Sequence, residues 1–307
     1  MNQLQVSASP HERTALRSGH IMLFVLLALI PAALHGTVSF GLRAVYVLLA
    51  STGSAVLFEF LFRLIFRRSQ TILDGSAAVT GLILGLSLPP AVPIWQVVIG
   101  SFTAIVVVKQ MFGGLGHNFA NPAVVGRIVL MISFPAAMTS WISPGIDAVS
   151  SATPLVSGNA GYWDLFLGNT AGCIGETSAA AILLGGIFLC ICRVITPVIP
   201  LGFIGSFALF TWIGGNDPLY QVLSGGLIFG AVFMATDYVT SPVTPFGKLI
   251  FSIVCGGLTF LLRQFGIYPE GVSFSILLMN LITPYIDRFT RTKPFGVLPH
   301  RQVVSNE

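Results

Sequence analysis

Residues 42–62 read LRAVYVLLASTGSAVLFEFLF, a run whose only charges are Arg43 at its start and Glu59 near its end. It shows no apolar/polar alternation, so it reads as a helix and not as a barrel strand. About 20 helical residues cross the hydrocarbon core of a bilayer, and this stretch is long enough to do so. Further apolar runs fall at 20–36, 76–90, 93–110, 122–139, 178–192, 197–213, 221–235, 247–263 and 271–287. They are separated by breakers such as Pro89-Pro90, Gly214-Gly215-Asn216-Asp217-Pro218, Ser241-Pro242 and Tyr268-Pro269-Glu270. The runs at 76–90 and 221–235 are short for a span and read as half-helices or tilted helices.

Composition agrees with this reading. The chain has 307 residues, of which 54% are hydrophobic and 8% charged, with a mean hydropathy of +0.87. A soluble protein carries about a quarter of its residues as charges, so this chain cannot coat itself for water. It can leave apolar surface in lipid if every backbone amide is bonded inside a helix or a closed barrel. The expected fold class is therefore an all-α polytopic membrane protein of about ten transmembrane helices, forming a single membrane domain over residues 1–307. No cleavable signal peptide is expected, because the first apolar run leads into more membrane.

The positive-inside rule sets the orientation. With the N-terminus in the cytoplasm, inner segments collect Arg13, Arg17, Arg63, Arg67, Arg68, Lys109, Arg127, Arg193, Lys248, Arg288, Arg291, Lys293 and Arg301. Outer segments collect only Arg43 and Arg263 of the 15 basic residues. The reading is a cytoplasmic segment at 1–20, a cytoplasmic tail at 288–307 and a long outer loop at 140–177. That loop contains Asp147, Asp164 and Glu176 but no Lys or Arg. It separates two sets of five helices; an odd number per half would invert one half relative to the other. Glu176-Thr-Ser-Ala-Ala-Ala-Ile-Leu-Leu184 resembles Glu270-Gly-Val-Ser-Phe-Ser-Ile-Leu-Leu278. Duplication and chance both remain open, since small residues and leucine are common in membrane helices.

Ionisable groups within spans are the first functional suspects, and here they are few. Glu59 has Arg63 one helical turn on, and an i,i+4 pair near the inner surface explains it. Lys109 and Arg127 lie near inner helix ends and read as snorkelling side chains. The slight basic excess sits at helix ends and does not suggest nucleic acid. Cys173, Cys190, Cys192 and Cys255 form no C-x-x-C, so neither a zinc site nor a complete iron–sulfur ligand set is expected. The five histidines are too scattered for haem.

The polar breaks are more informative. Gly113-Gly-Leu-Gly-His-Asn-Phe-Ala-Asn-Pro-Ala123 ends one helix with flexible backbone and restarts another. Asn121 is placed to cap, with Pro122 at the first helical position. The stretch reads either as a re-entrant turn or as a site where exposed amides and a helix N-terminus meet a polar ligand. Met234-Ala-Thr-Asp-Tyr-Val-Thr-Ser-Pro242 is a comparable break, in which Asp237 coordinates a cation or caps a helix. Asp147-Ala-Val-Ser-Ser-Ala-Thr-Pro-Leu155 lies in the long outer loop and by itself is a Ser/Thr loop.

Together these stretches resemble the RnfD/NqrB family, the membrane flavoproteins of the Rnf and Nqr respiratory complexes. The resemblance rests on Asp74-Gly75-Ser76 with Leu88-Pro89-Pro90, and on Lys109-Gln110-Met111-Phe112-Gly-Gly-Leu-Gly116 with Asn121-Pro122-Ala123 and Gly126-Arg127. It continues through Gly175-Glu-Thr-Ser178, Phe233-Met-Ala-Thr-Asp237, Thr240-Ser-Pro242, Glu270-Gly271 and Leu277-Leu-Met-Asn280. The resemblance implies FMN attached through a phosphoester to the threonine of an Asp-x-x-Ser/Thr-Gly-Ala-Thr motif. Here that motif runs from Asp147 through Ser150, Ser151 and Ala152 to Thr153, with Ser151 where the family has glycine.

Cofactor-binding positions implied besides these are Gly113, Gly114, His117, Asn118, Asn121, Arg127, Thr177, Ser178 and Asp237. The Gly-rich breaks are expected to bring backbone donors close to the flavin ring. A second, noncovalent flavin (riboflavin) in the helix bundle is also implied. The roughly 20 residues before the first helix favour the RnfD branch of the family, part of a complex that moves electrons from ferredoxin to NAD and pumps sodium ions or protons. Ferredoxin and NAD are then expected on other subunits, and a second flavin-carrying subunit on the outer side. The resemblance implies localisation in the bacterial cytoplasmic (inner) membrane. Alternatives are a quinone-reducing protein of the NqrB branch, a urea-channel-like small-solute transporter, and a structural scaffold subunit.

Overall fold

The computed structural model describes residues 18–144, 153–158, 160–266 and 271–291. Asp147, Ser150, Ser151 and Ala152 lie outside the described residues, as do 1–17 and 292–307 of the two terminal segments. Among the described residues the protein is all-helical, without strands. The principal helices are α1 (Ser18–Phe40), α2 (Leu42–Ile65), α3 (Ser76–Leu86), α4 (Ile94–Phe102), α5 (Pro122–Ser133), α6 (Ala179–Ile191), α7 (Val198–Ile213), α8 (Leu227–Phe229), α9 (Pro245–Phe265) and α10 (Val272–Thr290). α4 runs on as the π-helix Thr103–Gln110, and α8 as the π-helix Gly230–Met234.

Three helices, α1, α2 and α9, are each long and apolar enough to cross a membrane, and several shorter apolar helices accompany them. The expected run at 122–139 is divided: α5 stops at Ser133 and Pro135–Met138 forms a separate turn. Pro135 cannot donate to the preceding turn, which ends α5 there.

α3 has 11 residues. At 1.5 Å per residue it covers about half of a ~30 Å hydrocarbon core. The backbone that follows it does not go unpaired. Leu86 O and Leu88 O accept from Gly175 N (2.8 Å) and Ile174 N (3.1 Å), so the 173–178 segment completes the broken helix. α8 is preceded by a similar loss of helix at 224–226. There the Arg263 guanidinium donates to Gln221 O (2.6 Å) and Ser224 O (3.1 Å), while lying over the Phe207 ring.

The outward surface is apolar, with Val38 at 85% and Phe289 at 86% exposure, as a lipid-facing surface requires. Within the bundle, helices approach through small residues, the usual device where lipid offers no hydrophobic drive for association. Ser51 Oγ donates to Gly81 O at 2.6 Å between α2 and α3. A Cβ on Gly81 would stand 2.7 Å from Thr52 Cα and 2.8 Å from Ser51 O.

Gly81→Val is therefore expected to lower stability by about 1–3 kcal/mol, the usual range for overpacking, seen as a lower Tm in detergent. Gly205→Val serves as the control, since nothing stands within 4 Å of a Cβ there. Equal Tm values for the two variants would contradict the packing.

Candidate functional site

The two polar breaks meet. Asn121 caps α5, its Oδ1 accepting from Ala123 N (3.0 Å) and Val124 N (3.4 Å). Its Nδ2 donates to Met234 O in the second break at 3.0 Å. Asn280 of α10, with its amide oxygen turned to Asn121 N (3.1 Å), donates to Thr240 O (3.2 Å). Thr283 Oγ1 also donates to Thr240 O, at 2.9 Å. Non-helical backbone is tolerated at membrane depth only when bonded inside protein, and these amides do the bonding.

Between the breaks lies a cavity of about 120 Å³. Asn118, Asn121, Lys109, Thr80, Thr236 and Asp237 give it polar groups, and Met22, Ile83, Leu189 and Phe233 supply apolar wall. Asn118 Oδ1 is buried without a protein partner. Gly113, Gly114 and His117 do not line this cavity. The three glycines of the break, Gly113, Gly114 and Gly116, have φ of 124°, 98° and 91°, which a side chain would strain. Their role is to turn the chain.

Asp237 does not cap a helix. Its Oδ2 accepts from Thr240 Oγ1 (3.1 Å), its Oδ1 from Val239 N (3.5 Å), and its carbonyl from Ser241 N (3.1 Å), fixing a local turn. No cluster of three metal-ligating side chains exists among the described residues.

Lys109 does not snorkel. It is 1% exposed, and its Nζ donates to Glu59 Oε2 and Ser76 Oγ, both at 2.6 Å. Glu59 is therefore paired chiefly with Lys109, while its i,i+4 contact with Arg63 is longer, at 3.9 Å. Thr71 Oγ1 donates to Glu59 Oε1 at 2.8 Å, and Ser76 Oγ to Asp74 Oδ1 at 2.6 Å. An ionised buried carboxylate needs partners of this kind, and Lys109, Thr71 and Arg63 supply them here.

Arg127 is 3% exposed and also does not snorkel. Its guanidinium pairs with Glu176 and donates to Cys173 Sγ at 3.4 Å. Glu176 lies against Gly226, where a Cβ would stand 2.6 Å from Oε2. Sequence reasoning did not select Glu176 as a site residue. The available signal was a carboxylate at the start of an apolar run, at the end of a loop without basic residues, needing a buried cation elsewhere.

Thr153 sits beside this pair. It is 4% exposed, and its Oγ1 has no protein hydrogen bond. It precedes the short helix Pro154–Ser157 and lines a pocket with Cys173, Glu176, Thr177, Gly172 and Gly225. Thr177 Oγ1 is likewise buried without a partner, whereas Ser178 caps α6 by accepting from Ala181 N at 3.3 Å. Tyr220 brackets the segment after Thr153: its hydroxyl donates to Pro154 O (2.9 Å) and accepts from Ala160 N (3.4 Å). Tyr162 packs edge-on to Tyr220 and donates to Asp217. That bond, with the Tyr220 amide, holds the Asp217 carboxyl below its ordinary range.

The two sites stand at opposite ends of the bundle. α1, α3 and α6 meet the cavity through Met22, Ser76 and Leu189, and approach the Thr153 region through His35 beside Gly168, Leu86 beside Gly175, and Ser178. The 113–123 break therefore stands apart from Thr153. These helices hold the two apart.

The sequence model of the NQR2, RnfD, RnfE family matches residues 5–296. The chain is 43% identical to the D component of the proton-translocating ferredoxin:NAD(+) oxidoreductase complex of Clostridium ljungdahlii, over 96% of this chain and 97% of that relative. It is 44% identical to the D component of the Na(+)-translocating ferredoxin:NAD(+) oxidoreductase complex of Acetobacterium woodii, over 97% of each. It is 35% identical to the D component of the ion-translocating oxidoreductase complex of Escherichia coli O7:K1, over 95% of this chain and 98% of that relative.

Lys109→Met, which strands Glu59, is expected to destabilise the protein by about 3–5 kcal/mol, read as a fall in Tm. Adding Glu59→Leu to it should restore part of that loss. A single variant as stable as wild type would contradict the buried pair.

Proposed function

The chain belongs to the NQR2, RnfD, RnfE family, and from that premise we propose that it is the membrane flavoprotein subunit of an ion-translocating ferredoxin:NAD oxidoreductase complex. Electrons pass through FMN esterified to Thr153. One observation carries the reading: the threonine that ends the Asp-x-x-Ser-x-Ala-Thr motif holds a buried hydroxyl that no protein group uses.

The residues around Thr153 fit a phosphoester. Gly172 and Gly225 leave the wall of the pocket beside Thr153 low. Tyr220 holds Pro154, and with it the Thr153 backbone, against the second set of helices. Bound flavin supplies one- and two-electron transfer, and the protein's share is position and electrostatics. The ester prevents loss of the cofactor. Arg127 and Glu176, already paired, supply fixed charges beneath it.

The cavity between the breaks is the place we assign to the second flavin, riboflavin. Its apolar walls suit a planar ring, and Asn118 Oδ1 offers a buried acceptor that no protein group uses. Ferredoxin and NAD are bound by other subunits, and a second flavin-carrying subunit meets this one on the outer side.

The chain crosses the bacterial inner membrane ten times as a single domain, with both termini cytoplasmic and the Thr153 loop outside. Arg68, which donates to Gln110 O, and Arg193, next to Val194 of the cavity wall, support this orientation, whereas Arg127, counted with them, pairs with Glu176 at the Thr153 end. Two inverted five-helix halves are supported by recurring neighbours. α2 packs on α3 and α4, α7 packs on α9, and α5 and α10 close their halves against one another.

Intact mass of the protein, produced with its flavin transferase, is expected to exceed the chain mass by FMN minus water. Thr153→Val should remove the increment completely. A wild-type chain at its bare mass would overturn the attachment.

A further inference from the structure

The pocket beneath Thr153 contains more unpartnered oxygen than one ester uses. Glu176 Oε2, Thr177 Oγ1 and Thr153 Oγ1 are all buried without a hydrogen bond, and their residues are 5%, 5% and 4% exposed. All three line the same pocket. Leaving one such atom unpaired is costly, and three residues that line one small space each carry one.

Size and chemistry narrow the occupant. The enclosed part of the pocket admits about one water-sized guest, so the flavin ring itself lies outside it. The available donors are a carboxylate oxygen and hydroxyl oxygens, which suit a hard cation. The one sulfur nearby, Cys173 Sγ, already meets the Arg127 guanidinium at 3.4 Å.

Charge decides between water and an ion. Glu176 and Arg127 cancel, so a cation added to the bare pocket would bury an uncompensated charge. A phosphoester on Thr153 changes the balance by one negative charge. We infer that in the flavin-bearing chain this pocket is a binding site for a small monovalent cation, held by Glu176 Oε2 and Thr177 Oγ1 beside the ester. The site rests on the attachment of FMN at Thr153, and it places the cation and the flavin phosphate in one electrostatic unit. Relatives of nearly equal identity are named for protons in one case and Na(+) in another, so sodium is the probe and not an assumption.

The test uses the flavinylated chain in detergent, heated in sodium chloride or in choline chloride at equal ionic strength. Sodium is expected to raise the Tm of wild type by about 5 °C near saturation, the scale of ligand linkage for a chain of this size. Thr177→Val should retain the FMN mass increment and lose the sodium shift, and Thr177→Ser should retain both. Thr153→Val, lacking the ester charge, should bind sodium at least tenfold more weakly. Thr177 is the decisive position because Glu176→Gln also disturbs the Arg127 pair. Equal Tm values in sodium and choline, or the same shift in wild type and Thr177→Val, would overturn the cation site and leave the attachment intact. A wild-type chain without the FMN increment would overturn the attachment, and the site with it.

Discussion

Lipid offers no hydrogen bonds, so every backbone amide that leaves a helix must find a partner within the protein. The architecture follows from this constraint wherever helices stop short. The carbonyls after α3 are taken up by Ile174 and Gly175, and those before α8 by Arg263. The two central breaks are tied to each other by Asn121 and Asn280. Each break thus creates a polar spot inside an apolar bundle, and each candidate site is found beside one. Function is located where the backbone could not satisfy itself.

Buried charge obeys the same logic at a higher cost. Glu59 with Lys109 and Glu176 with Arg127 are the two fully enclosed pairs among the described residues. The first borders the cavity between the breaks through Lys109, and the second underlies Thr153. Their spacing through the bundle fixes one buried charge pair at each end. It also explains why neither pair is replaceable by one charge alone.

Much of this was legible in the sequence. Run lengths located most of the principal helices within a few residues, although the runs at 122–139 and 221–235 overshot α5 and α8, and Asn121-Pro122 announced the start of α5 through the known preference for such caps. The short runs at 76–90 and 221–235 were recognisable as deficient. What remained hidden was partnership across long separations. Arg127 and Lys109 look like snorkelling residues because each stands near a helix end, and nothing local shows that a carboxylate 49 or 50 positions away descends to meet it. Glu176 was overlooked as a site residue for the same reason. The split between the two sites was implicit in the charge count, which put Lys109 inside and the 140–177 loop outside; α1, α3 and α6 span the distance between them. The motif at Thr153 was legible through family resemblance, whereas the unused hydroxyl came from the fold.

The most direct measurement is an experimental density map of this chain within its membrane complex. Continuous density is expected from Thr153 Oγ1 through a phosphate to an isoalloxazine ring, lying at the end of the bundle where Tyr220 meets Pro154. A Thr153 side chain ending in a bare hydroxyl, with flavin density only in the cavity between the two breaks, would contradict the account.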